Sequence, residues 1–483
     1  MSKWQPQGLL NGYDPGGFYC ELQGAPGAAA RRMTSIQKRL DSYSVAELRR
    51  RGLAAERELF NLGVTFTVYS SRDQIDRILP FDVIPRVLSA AEWQKIERGV
   101  IQRVTALNRF VEDVYGSQRI LEDRVIPADL VLENANYRPQ MRGLKVPFGN
   151  YINICGVDIV RGDDGEFYVL EDNARTPSGV SYVVENRHLT QRAFPDLMRG
   201  IGVRSVSNYG QRLVEKMTEL GSAVCKNPSI VLLSPGVFNS AYFEHVFLAR
   251  EMGVPLVEGA DLLVRDDQVF VKTTGGLQDV HVIYRRIDDD FLDPEVFRPD
   301  SMLGVPGLMR AYEAGNVVLA NAVGTGIADD KAVYAYVPKI IEYYLAEKPV
   351  LKNVETHICR DADGLEFTLA NLEELVVKPV GESGGYGILI GPKAGKKAIA
   401  EFRLKLKEDP DNYISQPVVK LSVCPTVTRG GVEPRHVDLR PFAITGESTW
   451  VLPGGLSRVA LRKGSLIVNS SQGGGSKDTW VLE

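Results

Sequence analysis

Cysteine pairs, metal-spaced histidines, long apolar runs and a dominant charge sign are all missing from this chain. Its five cysteines (Cys20, Cys155, Cys225, Cys359, Cys424) lie far apart and include no C-x-x-C pair. That pattern argues against a disulfide framework and a thiolate zinc site, and fits a reducing, cytoplasmic compartment. The five histidines (His188, His245, His281, His357, His436) show no metal-ligand spacing, so imidazole is not expected to carry the chemistry. His436 alone draws interest, because it adjoins the VDLR stretch. No run of about 18 apolar residues occurs, which excludes a long apolar membrane helix. The N-terminal MSKWQPQGLLNGYDPGG lacks a charged segment followed by an apolar one, so no secretory leader is expected. Net charge is −4 with both signs interspersed, which argues against nucleic acid as a main partner. No internal repeat is visible.

What is present begins with size. At 483 residues the chain exceeds one compact core, and two to four domains are expected. A content of 44% hydrophobic and 24% charged residues is that of an ordinary globular protein.

The segment GVDIVRGDDGEFYVLEDN reads as two strands joined by an Asp164-Gly165 turn, a strong hairpin signal. With those two residues as the turn, Asp163 pairs with Glu166 and Asp158 falls opposite Glu171. Asn173, two residues on, shares their face. Opposed carboxylates repel and destabilise a hairpin, so the arrangement makes sense around a cation. Three hard oxygen donors suit Mg²⁺ held near a phosphate. An exposed hairpin with an acidic tip would carry the same residues.

A second element lies far down the chain. In LVVKPVGESGGYGILI a β-rich run ends at Lys378-Pro379. A loop carrying Gly381, Ser383, Gly384, Gly385 and Gly387 follows, then a second β-rich run. Glycines let backbone N–H groups close around an anion, and a strand-end lysine adds a point charge for phosphate. No Gly-Lys-Ser/Thr opens a helix, so this is not a Walker A loop. A strand rather than a helix follows the glycines, so it is not a Rossmann fingerprint either. A glycine-rich hairpin over phosphates is the nucleotide geometry left; a plain surface hairpin is the bland counterpart.

Together the two elements resemble the ATP-grasp superfamily. There, a lysine-bearing strand and glycine-rich hairpin clamp ATP from one side, and an Asp, Glu-x-Asn set holds Mg²⁺ from the other. Here the order is reversed, with Glu171 about two hundred residues before Lys378. The chain therefore resembles the circularly permuted ATP-grasp proteins related to glutathionylspermidine synthase. The resemblance runs through FDVIPR, EDNARTPSGVSYVVENR, YRRIDDDFLDP, ADDKAV, RHVDLRPFAI and SQGGGSKDTWVL. It departs where an arginine is expected two residues before the first metal carboxylate: that position is Gly156, with Arg161 or Arg175 as replacements.

The resemblance implies a mixed α/β protein, a circularly permuted ATP-grasp fold with a Rossmann-like domain and a helical N-terminal region. Residues 1–130 are expected to form an arm and helices, with FDVIPR leading into a helix capped by Ser89. Residues 131–199 hold the metal hairpin, 200–330 a Rossmann-like substrate domain, and 331–483 the nucleotide-clamping half. In 200–330, SIVLLSP, NSAYFEHVFLAREMG and VPLVEGADLLV read as a βαβ unit.

Further candidates follow from position. Ser178 and Gly179, in a strand break, present donors to a phosphate or carboxylate, or make an ordinary turn. Arg285, Arg286 and Asp288 are read as a substrate site, arginines for an acid and aspartate for an amine; a solvated charge cluster is the commoner case. Lys331 follows Asp329-Asp330 and opens a helix, and the resemblance implies that it helps position the phosphates. The resemblance implies an adenine hinge at Gln416 and Val418, where Pro417 cannot donate and a backbone donor must come from Val418 or another neighbour. Asp438 and Arg440 share a strand face. Arg440 and Arg175 are the candidate catalytic cations. SQGGGSKD is a second glycine-rich segment, and TWVLE after it is apolar enough to dock.

The resemblance implies ATP and Mg²⁺ as cofactors. Its activity would be carboxylate–amine ligation through an acyl phosphate, on small-molecule or peptide-like acids and an amine or polyamine. A phosphotransferase, or a non-catalytic ATP-binding scaffold, would use the same nucleotide residues.

Overall fold

The computed structural model describes residues 8–10, 12–22, 35–69, 74–381, 387–466, 468 and 474–483. No helix among them is long and apolar enough to cross a membrane.

The N-terminal region is less helical than its sequence suggests. After helix α1 (Val45–Asn61), FDVIPR opens strand β1 (Phe81–Leu88), buried along its whole length. It pairs in parallel with the buried strand Gly475–Val481, so the second glycine-rich segment supplies a core strand. Long helix α2 (Ala90–Tyr115) begins as expected. The Ser89 hydroxyl accepts from the Glu92 N–H, and Glu92 reaches back to the Ser89 N–H, a capping box. Its apolar stripe, from Trp93 through Ile96, Val100, Val104 and Leu107 to Val111 and Val114, is fully buried.

Strands β2 (Ile154–Arg161) and β3 (Phe167–Asn173) form the acidic hairpin. Near the turn Arg161 faces Phe167 and Ile159 faces Val169, one residue off the register an Asp164-Gly165 turn would impose. Continued regularly, that register would set Leu170 opposite Asp158. A bulge at Leu170 resets it, and Asp158 faces Glu171. Bulges bend a strand and re-aim its side chains.

The α/β unit follows. Strands β4 (Ile230–Leu233), β5 (Leu256–Val257), β6 (Val282–Arg285) and β7 (Val318–Ala320) form a parallel sheet in the order β7-β6-β4-β5. Helix α3 (Tyr242–Met252) crosses from β4 to β5 and closes on Gly253 at φ +68°. At the C-terminal edge, where such sheets place ligands, the exit of β7 meets the acidic hairpin through Asn321.

Helix α4 (Lys331–Leu345) starts where the Asp330 carboxylate accepts the Ala332 and Val333 N–H groups. Strand β8 (Lys352–Asn353) then joins the edge of β3. A separate antiparallel sheet comprises β9 (His357–Ile358), β10 (Leu375–Pro379), β11 (Leu389–Ile390) and β12 (Tyr413–Pro417), in the order β9-β12-β10-β11. Helix α5 (Lys396–Glu408) covers it over a small core of Leu372, Val377, Leu389, Ile399 and Leu406.

Beyond β12 the chain leaves that sheet. Strands β13 (Phe442–Thr445) and β14 (Thr449–Val451) complete the hairpin's five-stranded sheet. β15 (Ser457–Val459) pairs with Gly475–Val481. Residues expected to belong wholly to a clamping half are therefore shared between the lysine-bearing sheet and the sheets around the acidic hairpin.

Candidate active site

The acidic residues of β2 and β3 converge as counted. Asp158 is buried, and its carboxylate accepts from Asn173 Nδ2 at 3.3 Å. Arg440 grips it twice, through Nε on Oδ1 and a terminal nitrogen on Oδ2, the latter at 2.7 Å. Arg458 adds a third cationic contact, 2.7 Å from Oδ2. Arg458 also holds Asp438, with Nε 2.8 Å from Oδ2. Burial pushes Asp158 up, but Arg440 and Arg458 outweigh burial and hold it below the usual carboxylate range.

Across the pair, burial and the charge of Asp158 push Glu171 up, against the pull of Lys331, Lys378 and Arg440. Lys331 Nζ lies 3.9 Å from Glu171 Oε2. Lys378, on β10, donates to Gln416 Oε1 on β12 at 2.7 Å, and Gln416 donates onward to Thr356 at 2.9 Å. Burial pushes the Lys378 ammonium down, with Glu171 opposing and Lys331 adding to the fall. Two lysines, two carboxylates, an asparagine and an arginine thus meet from β2, β3, α4, β10 and the 437–440 stretch. Gln416 presents its side chain to Lys378, and Val418 lies just beyond the end of β12.

Gly156 explains its own departure from the expected arginine. A Cβ there would lie 3.3 Å from Cδ and 3.5 Å from Cγ of Arg440. The Arg440 stem occupies the space above Gly156. Neither anticipated replacement does so: Arg161 pairs with Glu21 at 2.8 Å and Glu92 at 2.7 Å, and Arg175 with Asp329 at 2.7 Å.

Other candidates are placed differently. The Ser178 carbonyl accepts from Arg440 at 3.3 Å. Gly179, at φ +111°, donates its N–H to Glu244 at 2.7 Å, so that donor is already engaged. Arg285 and Arg286 do not form an open acid-binding pair. Arg285 is 1% exposed and bonds the Asn321, Ile287 and Ala322 carbonyls and Asp289. Arg286 bonds the Pro177 carbonyl at 2.6 Å and Glu244 at 3.2 Å. A buried guanidinium needs such partners, and here they are internal. Asp288 remains partly exposed, 3.4 Å from Arg175. Gly381 and Gly387 flank the loop between β10 and β11; Ser383, Gly384 and Gly385 lie outside the described residues. His436 bonds the Leu421 carbonyl and packs edge-on against Phe18, a core role.

Two residues were missed. Arg458 lies in LSRVA, a lone charge in a buried run, which by itself signals a buried partner. Asn321 follows β7. Its amide oxygen accepts from the N–H groups of Asn153 (2.7 Å) and Ile154 (2.6 Å). Its nitrogen donates to the Ile154, Ala174 and Arg175 carbonyls at 2.8–2.9 Å. One side chain thus fastens the α/β sheet to the acidic hairpin.

An antiparallel sheet presenting a lysine to an acidic hairpin, beside a parallel α/β unit, is the architecture of an ATP-grasp protein. The sequence pattern of the circularly permuted ATP-grasp type 2 family matches residues 85–460, and the chain belongs to that family. An uncharacterized protein of Synechocystis sp. is 51% identical over 475 residues, covering 98% of this chain and 99% of that one. A Frankia alni protein named "Putative glutamate--cysteine ligase 2-3" is 43% identical over 98% of this chain, which spans 54% of its length. Among solved structures, a glutathione synthetase-like effector from Globodera pallida, in its apo form, shares the fold. Its TM-score is 0.58 at 12% identity, over 90% of this chain and 96% of that one.

Proposed function

We propose that the protein is an ATP-dependent carboxylate–amine ligase, joining a small or peptide-like acid to an amine through an acyl phosphate. The observation that carries this reading is the approach of Lys331 to Glu171, 3.9 Å apart, with Lys378 in the same cluster. It brings the phosphate-binding and cation-binding chemistries into one site.

The donor set fits Mg²⁺. Asp158, Glu171 and Asn173 offer hard oxygens on one face of the hairpin. Among the described residues no group of three or more His, Cys, Asp or Glu forms a metal centre. Mg²⁺ commonly takes one or two carboxylates and completes its shell with phosphate and water. When bound, it supplies charge neutralisation at the β- and γ-phosphates.

The chain's own residues do the rest. Lys378, oriented by Gln416, and Lys331 bind phosphate oxygens. The glycines of the 381–387 segment suit it to offer backbone N–H groups to the same oxygens. Arg440 stabilises charge on the transferred phosphoryl group. The acid's carboxylate attacks the γ-phosphorus and ADP departs; the amine then displaces phosphate and an amide forms. Positioning and electrostatics suffice for such transfer, which agrees with a site without histidine or cysteine. The Frankia relative's name supports a ligase of this general kind.

Calorimetric titration of ATP with Mg²⁺, then with EDTA, tests the site. Metal-dependent binding should weaken by about tenfold or more in both Glu171→Gln and Lys378→Ala, the scale of a lost charge-assisted contact. Binding indifferent to both changes would overturn the proposal. Hydroxylamine then separates acyl-phosphate formation, which yields a hydroxamate, from phosphoryl transfer to a hydroxyl, which does not.

A further inference from the structure

A carboxylate has two oxygens and about four lone-pair directions. Asp158 has four donors on them. Oδ1 accepts from Arg440 Nε and, at 3.3 Å, from Asn173; Oδ2 accepts from Arg440 and from Arg458, each at 2.7 Å. A cation needs one of those directions.

The two arginines are not held alike. Arg458 is anchored to Asp438 through Nε at 2.8 Å, through a terminal nitrogen at 2.5 Å and through its backbone N–H at 3.1 Å. Its backbone carbonyl accepts the Asp438 N–H at 3.2 Å. Removing it would strand a buried carboxylate. Arg440 has Asp158 as its carboxylate partner, plus one long bond of 3.3 Å to the Ser178 carbonyl. Its stem rests on Gly156, where no Cβ stands in the way.

Charge gives the same division. Asp158 and Asp438 balance Arg440 and Arg458. With Arg440 gone from Asp158, one carboxylate charge is uncompensated there. Glu171 supplies a second once Lys331 and Lys378 turn to phosphate. The pair matches one divalent cation.

We propose that Arg440 and the divalent cation compete for Asp158, while Arg458 stays as the positioning residue that holds this carboxylate. Without nucleotide, Arg440 fills the place. A triphosphate draws Arg440 to its terminal phosphate and opens Asp158 to the metal, so metal and nucleotide enter as one thermodynamic unit. This rests on the ATP-binding reading above.

The test uses free Mn²⁺ without nucleotide, followed by loss of its aqueous electron paramagnetic resonance signal on the full-length protein. Arg440→Met should bind Mn²⁺ at least about tenfold more tightly than wild type, as expected for a freed charge-assisted contact. Arg440→Lys should also gain, because a point charge keeps the sign but cannot span both oxygens; it decides alone if Arg440→Met fails to fold. Lys331→Met removes an equal charge beside Glu171 without freeing Asp158, and should gain clearly less. Equal affinity in wild type and both Arg440 variants would overturn the competition, as would an equal gain in Lys331→Met. Wild-type titration with MgATP separates the two levels. Failure to bind MgATP sinks the nucleotide reading. Binding of MgATP together with indifferent Mn²⁺ data sinks only the competition.

Discussion

Asp172 lies between Glu171 and Asn173 on β3, so its side chain leaves the opposite face of the strand. There it meets Arg103 of α2 in a two-pronged pair, Nε to Oδ1 at 2.6 Å and a terminal nitrogen to Oδ2 at 2.7 Å, both side chains being at most 1% exposed. Arg103 also donates to Asn353 on β8 at 2.7 Å and lies over the Tyr334 ring. Breaking such a pair from one side strands a buried charge and costs about 3–5 kcal/mol, whereas replacing both partners with apolar groups is often nearly neutral. Asp172→Leu and Arg103→Met should therefore each destabilise by about 3–5 kcal/mol. The double variant should lose only about 1–2 kcal/mol, chiefly from the Asn353 acceptor left unpaired. Urea unfolding followed by tryptophan fluorescence measures this, with Trp93 fully buried on the same helix. A single variant costing under about 1 kcal/mol, or a double equal to the sum of the singles, would refute the claim that this ion pair clamps β3 from behind.

Two further outcomes are expected. Asn321→Ala removes bonds to five backbone groups and should cost at least about 3 kcal/mol; a melting temperature within a degree or two of wild type would contradict the fastening role. His245 is buried against Ser234 at 2.8 Å, and burial with the Arg286 charge depresses its pKa to about 2. Because the folded value lies below the unfolded one, the unfolded state binds the extra proton, and stability falls as pH drops below about 6.5, by roughly 2 kcal/mol at pH 5. His245→Asn should flatten that part of the pH–stability curve, and an unchanged curve would show that this histidine is not its source.

The acidic trio was legible because side chains on paired strands alternate faces with a period of two, and an Asp-Gly turn offers a starting count. The count reached the right partner by way of a different turn, since the bulge at Leu170 compensates a one-residue shift that no local rule announces. Lys331 was legible from the Asp330 cap before it, and Lys378 from the glycines after it. Arg285 and Arg286 were misread because charge at a strand end looks the same whether it faces solvent or a ring of carbonyls. β1 was missed as a strand because its partner lies about four hundred residues away. Arg458 was missed although Asp438 lies only 20 residues before it; its second partner, Asp158, is 300 residues away.

Asn321 has a mechanical consequence. It binds the backbone at the start of β2 and just past the end of β3 from the exit of β7, so the α/β sheet and the acidic hairpin share one frame with little slack between them. Among the described residues the lysine-bearing sheet has no strand paired into that frame; it has a small core of its own, and its Ile358 and Ile414 also pack on Ala332 of α4. The chain enters that sheet after β8 and leaves it after β12, so those two connections are where a displacement of the sheet relative to the frame would have to be accommodated.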